Sequence, residues 1–406
     1  MHIRSLSLRQ FRTYHRLELD LPAAPVLLLG ANAQGKTSLL EAMAFLALGS
    51  SPLTSVDQHV IHWDAAEASL PFAHLKADVV YRDRTEHLEI ALERRHLTNG
   101  RQRMHKSVRI DQRSTRITDL AGHLNVVLFL PEDLALVNGA PSGRRRYLDN
   151  LLSQVYPTYV EVYDAYRKAV SRRNALLRHL RARGGDALQL MPLEERIVRT
   201  GVTVSLYRRR VIWELTDHMD RLHQEMTGGQ ARLRLSYKPN FEAVSATKQS
   251  DEFLGPAAPA DIATIDVEAL YDDYREKLAQ KRQREIERGM TLIGPHRDEI
   301  RFISADRDMG VFGSRGEQRT AVLALHLAEL RWLEETTGES PVLLLDEVLA
   351  ELDRTRRGFL LELLSGVEQT ILATTDAEMF PESFRRRTVT FRVEGGLINQ
   401  VPMAKR

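Results

Sequence analysis

Apolar and polar residues alternate in short runs over the first 110 residues, at 3–8, 17–21, 75–81 and 88–92. A period of two belongs to a strand with one face on a core, so these stretches predict antiparallel strands. Asn99-Gly100 supplies a hairpin turn between two of them. Three runs are apolar without interruption, at 26–29, 126–130 and 342–345. Strands covered on both faces read this way, so a buried, parallel layer is expected beside the antiparallel one. From Arg144 to about Thr227 the spacing turns helical, broken at Gly184-Gly185 and ended at Gly228-Gly229. Residues 250–262, with Gly255-Pro256 and Pro259, predict a flexible connection, and 267–288 an amphipathic helix laced with i,i+4 charge pairs. After Met290 strand and helix alternate again. The expected organisation is an α/β body in two halves, 1–143 and 290–406, with a helix-rich insert at 144–289.

Composition narrows the class. A chain of 406 residues, 43% apolar and 28% charged, holds enough apolar material for two or three lobes. Its 57 Lys+Arg nearly balance 55 Asp+Glu, so any basic surface is local. The absence of cysteine excludes disulfides, thiolate metal sites, iron–sulfur clusters and a thiol nucleophile. The fourteen histidines show no HExxH or comparable spacing. Met1 to Arg12 has no apolar block or cleavage site of a secretory signal, and no apolar run approaches the ~20 residues of a membrane span. A cytoplasmic location is expected.

Three motifs carry chemistry. Gly30-Ala31-Asn32-Ala33-Gln34-Gly35-Lys36-Thr37 fits GxxxxGK[ST], directly after one buried strand and before a helix that opens at Ser38. Glycines let backbone N–H groups wrap phosphates, the helix N-terminus adds its dipole, Lys36 meets the β- and γ-phosphates, and Thr37 ligates Mg²⁺. The run 342–345 ends in Asp346-Glu347. Asp346 is expected in the shell of the Mg²⁺, and Glu347 is placed to take a proton from an attacking water. Ser314-Arg315-Gly316-Glu317-Gln318 precedes a long apolar-striped helix and ends 28 residues before Asp346. Alone it reads more readily as a plain helix cap than as an anion site, and its place in the chain ahead of Asp346 favours the anion site.

Together with Ala350-Glu351-Leu352-Asp353, these motifs resemble the ABC-type P-loop heads of the SMC-like ATPases, and within that group the RecF family. The narrower resemblance rests on Phe11-Arg12-Thr13-Tyr14, Leu130-Pro131-Glu132-Asp133-Leu134, the segment 141–149 and Gly294-Pro295-His296-Arg297-Asp298. It implies an ATPase head of mixed sheet plus antiparallel layer, dimerising on ATP and released by slow hydrolysis. Gly30 to Ser38 and Arg12 would hold ATP within one subunit. Ser314, Gly316, Glu317, Gln318 and Asp353 would meet that nucleotide from a second copy. The resemblance also implies DNA binding in recombinational repair and replication restart, with RecO and RecR as partners in loading recombinase at gaps. Arg315 and Gly313 depart from the broad signature, and Thr375-Asp376 stands where many cassettes have histidine, so the γ-phosphate sensor is left unassigned.

Between residues 140 and 210 lie fifteen Lys+Arg and six Asp+Glu. Arg144, Arg145, Arg146, Arg172 and Arg173 are the candidate contacts to single-stranded or linear or gapped duplex DNA, with Arg208-Arg209-Arg210 a further cluster. The competing reading is solvated helix faces, with Tyr147, Tyr159, Tyr163 and Tyr166 packing between helices. For His296 and Arg297 a structural turn competes with a place near the nucleotide. Two other classes share the nucleotide motifs, transporter ATP-binding subunits and SMC-like structural ATPases. The 310 residues between Lys36 and Asp346 are too many for the first, and the glycine- and proline-broken insert is too short for the rod of the second.

Overall fold

The computed structural model describes residues 1–66, 71–96, 102–229, 231–241 and 265–401. The expected turn at 99–100 and connection at 250–262 lie outside them. The chain forms two compact units, 1–133 with 329–406, and 134–328, where the sequence pattern placed divisions at 143 and 289. The helix Arg315–Thr337 starts in the second unit and ends in the first. Among the described residues no helix is long and apolar enough to cross a membrane.

The first unit is built from two six-stranded sheets. One is antiparallel, in the order β2 (Tyr14–Asp20), β1 (His2–Phe11), β4 (Phe72–Val80), β5 (Thr85–His96), β6 (Gln102–Ile110), β7 (Arg113–Thr115). Its strands cover the alternating runs. A register shift between Ile3 and Ser5 changes the parity, so Ile3, Leu6 and Leu8 all face the core. The other sheet runs β15 (Leu397–Gln400), β14 (Val389–Glu394), β3 (Val26–Leu29), β13 (Thr370–Thr374), β12 (Val342–Asp346), β8 (Val126–Phe129). All but β15 pair parallel, and the three uninterrupted apolar runs are β3, β8 and β12. The helix Lys36–Leu48 packs on strands of both sheets, and Leu39, Leu40, Met43, Phe45 and Leu46 are buried around its whole circumference. That explains a sequence apolar on every side, where a surface helix would show one stripe.

The second unit holds the helices Pro141–Val155, Pro157–Arg183, Met191–Thr227 and Val267–Arg288. It also holds a three-stranded antiparallel sheet, β11 (Arg307–Asp308), β10 (Glu299–Ser304), β9 (Leu233–Lys238). β9 and β10 pair from Leu233 with Ser304 to Lys238 with Glu299, so residues on both sides of the expected boundary at 289 share one sheet.

Buried ion pairs hold this unit. Arg208, 1% exposed, donates to Asp149 at 2.8 and 3.1 Å and to Asp298 at 3.1 Å. Asp298 also accepts from Tyr237 Oη at 2.5 Å and from the Asn240 N–H at 2.9 Å. Losing one member of such a pair strands a charge and costs about 3–5 kcal/mol. Gly-Pro-His-Arg-Asp therefore has a structural part. His296 Nε2 donates to the Thr291 carbonyl at 3.2 Å, so its Nδ1 accepts from Tyr166 Oη at 2.6 Å. Burial holds the imidazole down to about 4, and it stays neutral near pH 7. Gly294 has φ 128°, and an added Cβ would fall 2.0 Å from Tyr274 Oη and 2.5 Å from Tyr166 Oη. Gly294→Ala is accordingly expected to destabilise the protein by about 3 kcal/mol or more, read as a drop in the urea midpoint. An unchanged midpoint would contradict this packing.

Candidate functional site

The loop between β3 and the helix Lys36–Leu48 is pinned on several sides. A Cβ on Gly30 would meet the Val393 carbonyl oxygen at 2.4 Å, and one on Gly35, φ 113°, would meet Thr13 Oγ1 at 2.7 Å. Only glycine fits at either position. Tyr14 Oη donates to the Gly35 carbonyl at 3.0 Å. The β14–β15 turn grips Gln34, with Gly395 N–H donating to its Oε1 at 2.7 Å and Gly396 N–H to its carbonyl at 3.2 Å. Ala31, Asn32 and Ala33 stay exposed, and Ala33 takes φ 62°. Ser38 is half-buried in the first helical turn.

Lys36 Nζ donates to the Gly30 and Ala31 carbonyls at 2.6 and 2.9 Å and lies 3.4 Å from Glu347 Oε1. Thr37 Oγ1 donates to Asp346 Oδ2 at 2.6 Å. The parallel sheet causes this convergence, because β3 and β12 flank β13 and end on the same edge, where ligands of open α/β sheets sit. Burial, then the neighbouring Glu347, raises the pKa of the Asp346 carboxyl, against the Thr37 hydrogen bond that lowers it. A cation at this point would relieve that cost. Glu347 sits at φ 52°, its N–H bonded to the Ala373 carbonyl at 3.1 Å. Apart from the ion pair with Lys36, its Oε1 is buried with no hydrogen-bond partner among the described residues.

Arg12 lies in the β1–β2 turn beside Thr13 and Tyr14, at φ 52°. It pairs with Glu41, a residue the sequence reading passed over. The available signal was one acid inside Ser38-Leu-Leu-Glu41-Ala-Met-Ala-Phe-Leu-Ala-Leu48, an otherwise apolar stretch.

The segment 314–318 caps its helix in both directions. Ser314 N–H donates to Glu317 Oε2 at 2.7 Å, and Glu317 N–H donates to Ser314 Oγ at 3.3 Å. Ser314, Arg315, Gly316 and Glu317 are exposed, and an added Cβ on Gly316 would enter open space. Val311 and Phe312 beside them are 70% and 71% exposed. Gln318 needs correction as a ligand. It is buried, its Nε2 donates to the Met309 and Gly313 carbonyls at 2.9 and 3.1 Å, and its Oε1 accepts from Asn138 at 2.9 Å. Its amide holds the preceding loop. Asp353 caps the helix Arg354–Leu364, accepting from Thr355 and Arg356 N–H at 3.0 Å each. Those backbone bonds, Arg356 first, lower its pKa.

Two of the expected DNA contacts are also corrected. Arg144 is buried, donating to the Leu136, Val137 and Gly139 carbonyls. Arg173 is fully buried between Glu194 at 2.8 Å and Glu285 at 2.6 Å. Arg145 is half-buried and donates to the Asp298 carbonyl at 2.6 Å. Desolvated and internally paired, these side chains serve the fold. Arg146 and Arg172 are exposed. Elsewhere, His15, His62 and Asp64 bring metal-capable atoms within 4.8 Å of one another. The two imidazoles lie 3.7 Å apart at a tilt of 35°, and His62 Nδ1 accepts the Asp64 N–H at 3.2 Å, so that nitrogen is already engaged.

A phosphate-type cradle facing an Asp-Glu strand tip, in a parallel sheet backed by an antiparallel one, defines an ABC-type P-loop ATPase head. The family model described as RecF/RecN/SMC N terminal domain matches residues 2–398. The DNA replication and repair protein RecF of Chloroflexus aurantiacus is 41% identical over 98% of this chain and 99% of its own. Its counterpart in Exiguobacterium is 37% identical over 98% of each chain. A solved structure of the recombination mediator protein RecF with ATP, in the RecFOR pathway, superposes with TM-score 0.82 at 25% identity, covering 99% of this chain and 98% of that one. The chain belongs to the RecF family.

Proposed function

We propose that this protein binds ATP with Mg²⁺, dimerises around it, and engages DNA in recombinational repair and replication restart, with slow hydrolysis returning it to the monomer. The observation that supports this most is the pairing of Thr37 with Asp346 at 2.6 Å beside Lys36 and Glu347 at 3.4 Å. Residues about 310 positions apart meet there with the charges a metal-triphosphate needs. Lys36 exchanges its carbonyl partners for phosphate oxygens, and the N–H groups of 31–36 close round them. Thr37 and Asp346 are the residues that would hold Mg²⁺, which neutralises developing phosphate charge when bound. Glu347 orients the attacking water and takes its proton.

From a second copy, the exposed Ser314 and Gly316 present a helix N-terminus to the γ-phosphate, with Asp353 at the same interface. The apolar Val311 and Phe312 suit burial there. ATP thus becomes part of the contact, and its hydrolysis removes what holds the dimer. The names of the relatives and of the solved structures support the repair role, and RecO and RecR are the partners this reading assigns. Sedimentation with and without ATP and a gapped duplex tests it. ATP-dependent dimers that retain DNA are expected, and a monomer that ignores both would refute it.

For DNA, the exposed arginines are the ones to test. Arg146→Ala with Arg172→Ala is expected to reduce the slope of log affinity against log salt by about 2, one phosphate contact each. Arg173→Ala should instead lower the melting temperature, because Glu194 and Glu285 lose their buried partner. An identical slope in the double variant would move the footprint elsewhere.

A further inference from the structure

Glu41 is 2% exposed and, after Lys36, the only charged residue in its helix. Both of its oxygens accept hydrogen bonds. Oε2 accepts from Arg12 Nε at 2.7 Å, while Oε1 accepts from Arg12 Nη2 at 2.6 Å and from Ser51 Oγ at 2.5 Å. Ser51 Oγ accepts the Leu53 and Thr54 N–H groups at 3.0 Å each. Arg12 Nη1 donates to the His59 carbonyl at 2.8 Å, and its backbone N–H to Val60 at 2.8 Å. The guanidinium is therefore clamped along one edge, in the two-pronged geometry that fixes its plane. One N–H on Nη1 and one on Nη2 remain without partner among the described residues, and the side chain is 25% exposed. The same turn carries Thr13 and Tyr14, which abut Gly35 of the cradle.

We propose that Glu41, seconded by Ser51, is a positioning residue that sets Arg12 as a donor to bound ATP and so couples the segment 51–60 to nucleotide occupancy. The inference rests on the ATP-binding reading above and deepens it. A long side chain held beforehand loses little freedom when phosphate arrives, so the clamp raises affinity by preorganisation. The coupling is reciprocal. If an ordered segment 51–60 favours ATP, ATP orders that segment by the same factor.

The test is a double-mutant cycle on affinity for ATP with Mg²⁺, with amide exchange at Leu53 and Thr54 as second readout. Glu41→Gln keeps the shape but breaks the two-pronged pairing, and both it and Arg12→Ala are expected to weaken ATP about tenfold. The double variant should be no weaker than Arg12→Ala alone. ATP should slow exchange at Leu53 and Thr54 in the natural protein and not in Glu41→Gln. A folded Glu41→Gln with full affinity, or losses that multiply in the double variant, would overturn the proposal. Should Glu41→Gln fail to fold, Ser51→Ala removes one support only. About threefold weaker binding is then expected, and unchanged affinity overturns the proposal. Lys36→Ala separates the two levels. If it too retains ATP, the nucleotide reading itself has failed, and if it alone loses ATP, only the role of Glu41 has.

Discussion

Lys36→Ala is expected to lose ATP by about a hundredfold or more in affinity, measured by titration calorimetry, while the protein still melts cooperatively. The size follows from what the ammonium does. It is the one cation inside the loop, pointing at the Gly30 and Ala31 carbonyls, and in the proposed reading it would meet the most charged part of a triphosphate through charge-assisted hydrogen bonds. About 2.7 kcal/mol, the value of two such contacts, is a hundredfold in binding. The fold is expected to persist because other groups shape the loop, namely Tyr14 on Gly35 and the Gly395–Gly396 turn on Gln34. Undiminished ATP affinity in this variant would remove the cradle from the mechanism.

Glu347→Gln is expected to bind ATP, to hydrolyse it about 10²- to 10⁴-fold more slowly, and to accumulate as a dimer. The amide has the carboxylate's shape but cannot accept the proton of an attacking water. Asp346 and Thr37, the residues proposed to hold the metal, are untouched, so binding of ATP with Mg²⁺ is expected to survive. The substitution also cancels the negative charge 3.4 Å from Lys36, which frees the ammonium for phosphate and favours the loaded state. Sedimentation with saturating ATP is the measurement. A variant that stays monomeric, or that turns ATP over at the natural rate, would take Glu347 out of its assigned part.

The glycine-rich loop and the buried strands beside it were legible because their signals are local. Gly30 to Ser38 are consecutive, and β3, β8 and β12 advertise burial on both faces by lacking polar positions. The pairing of β9 with β10 was not legible, since two short amphipathic strands some sixty residues apart carry no mark of their register. Nor was the fate of the arginines. Arg144, Arg146, Arg172 and Arg173 look alike in a charge count, yet two are desolvated and paired and two face water. Gln318 looked like the end of a ligand-binding motif because it follows one, and helical rotation turns it inward.

By itself the order of residues determined that this chain has a glycine-rich loop leading into a lysine and a helix, a strand tipped with two acids and a capped helix start, since each is made by neighbours along the backbone and needs no distant partner. Tertiary structure alone decided which charges are free to act. Whether an arginine binds a ligand or braces a core depends on how far it is removed from water and which carboxylate waits there. Glu41, meeting Arg12 across 29 residues of chain, acquires its part only when the helix is pressed between the sheets and the turn of β1 and β2 closes over it.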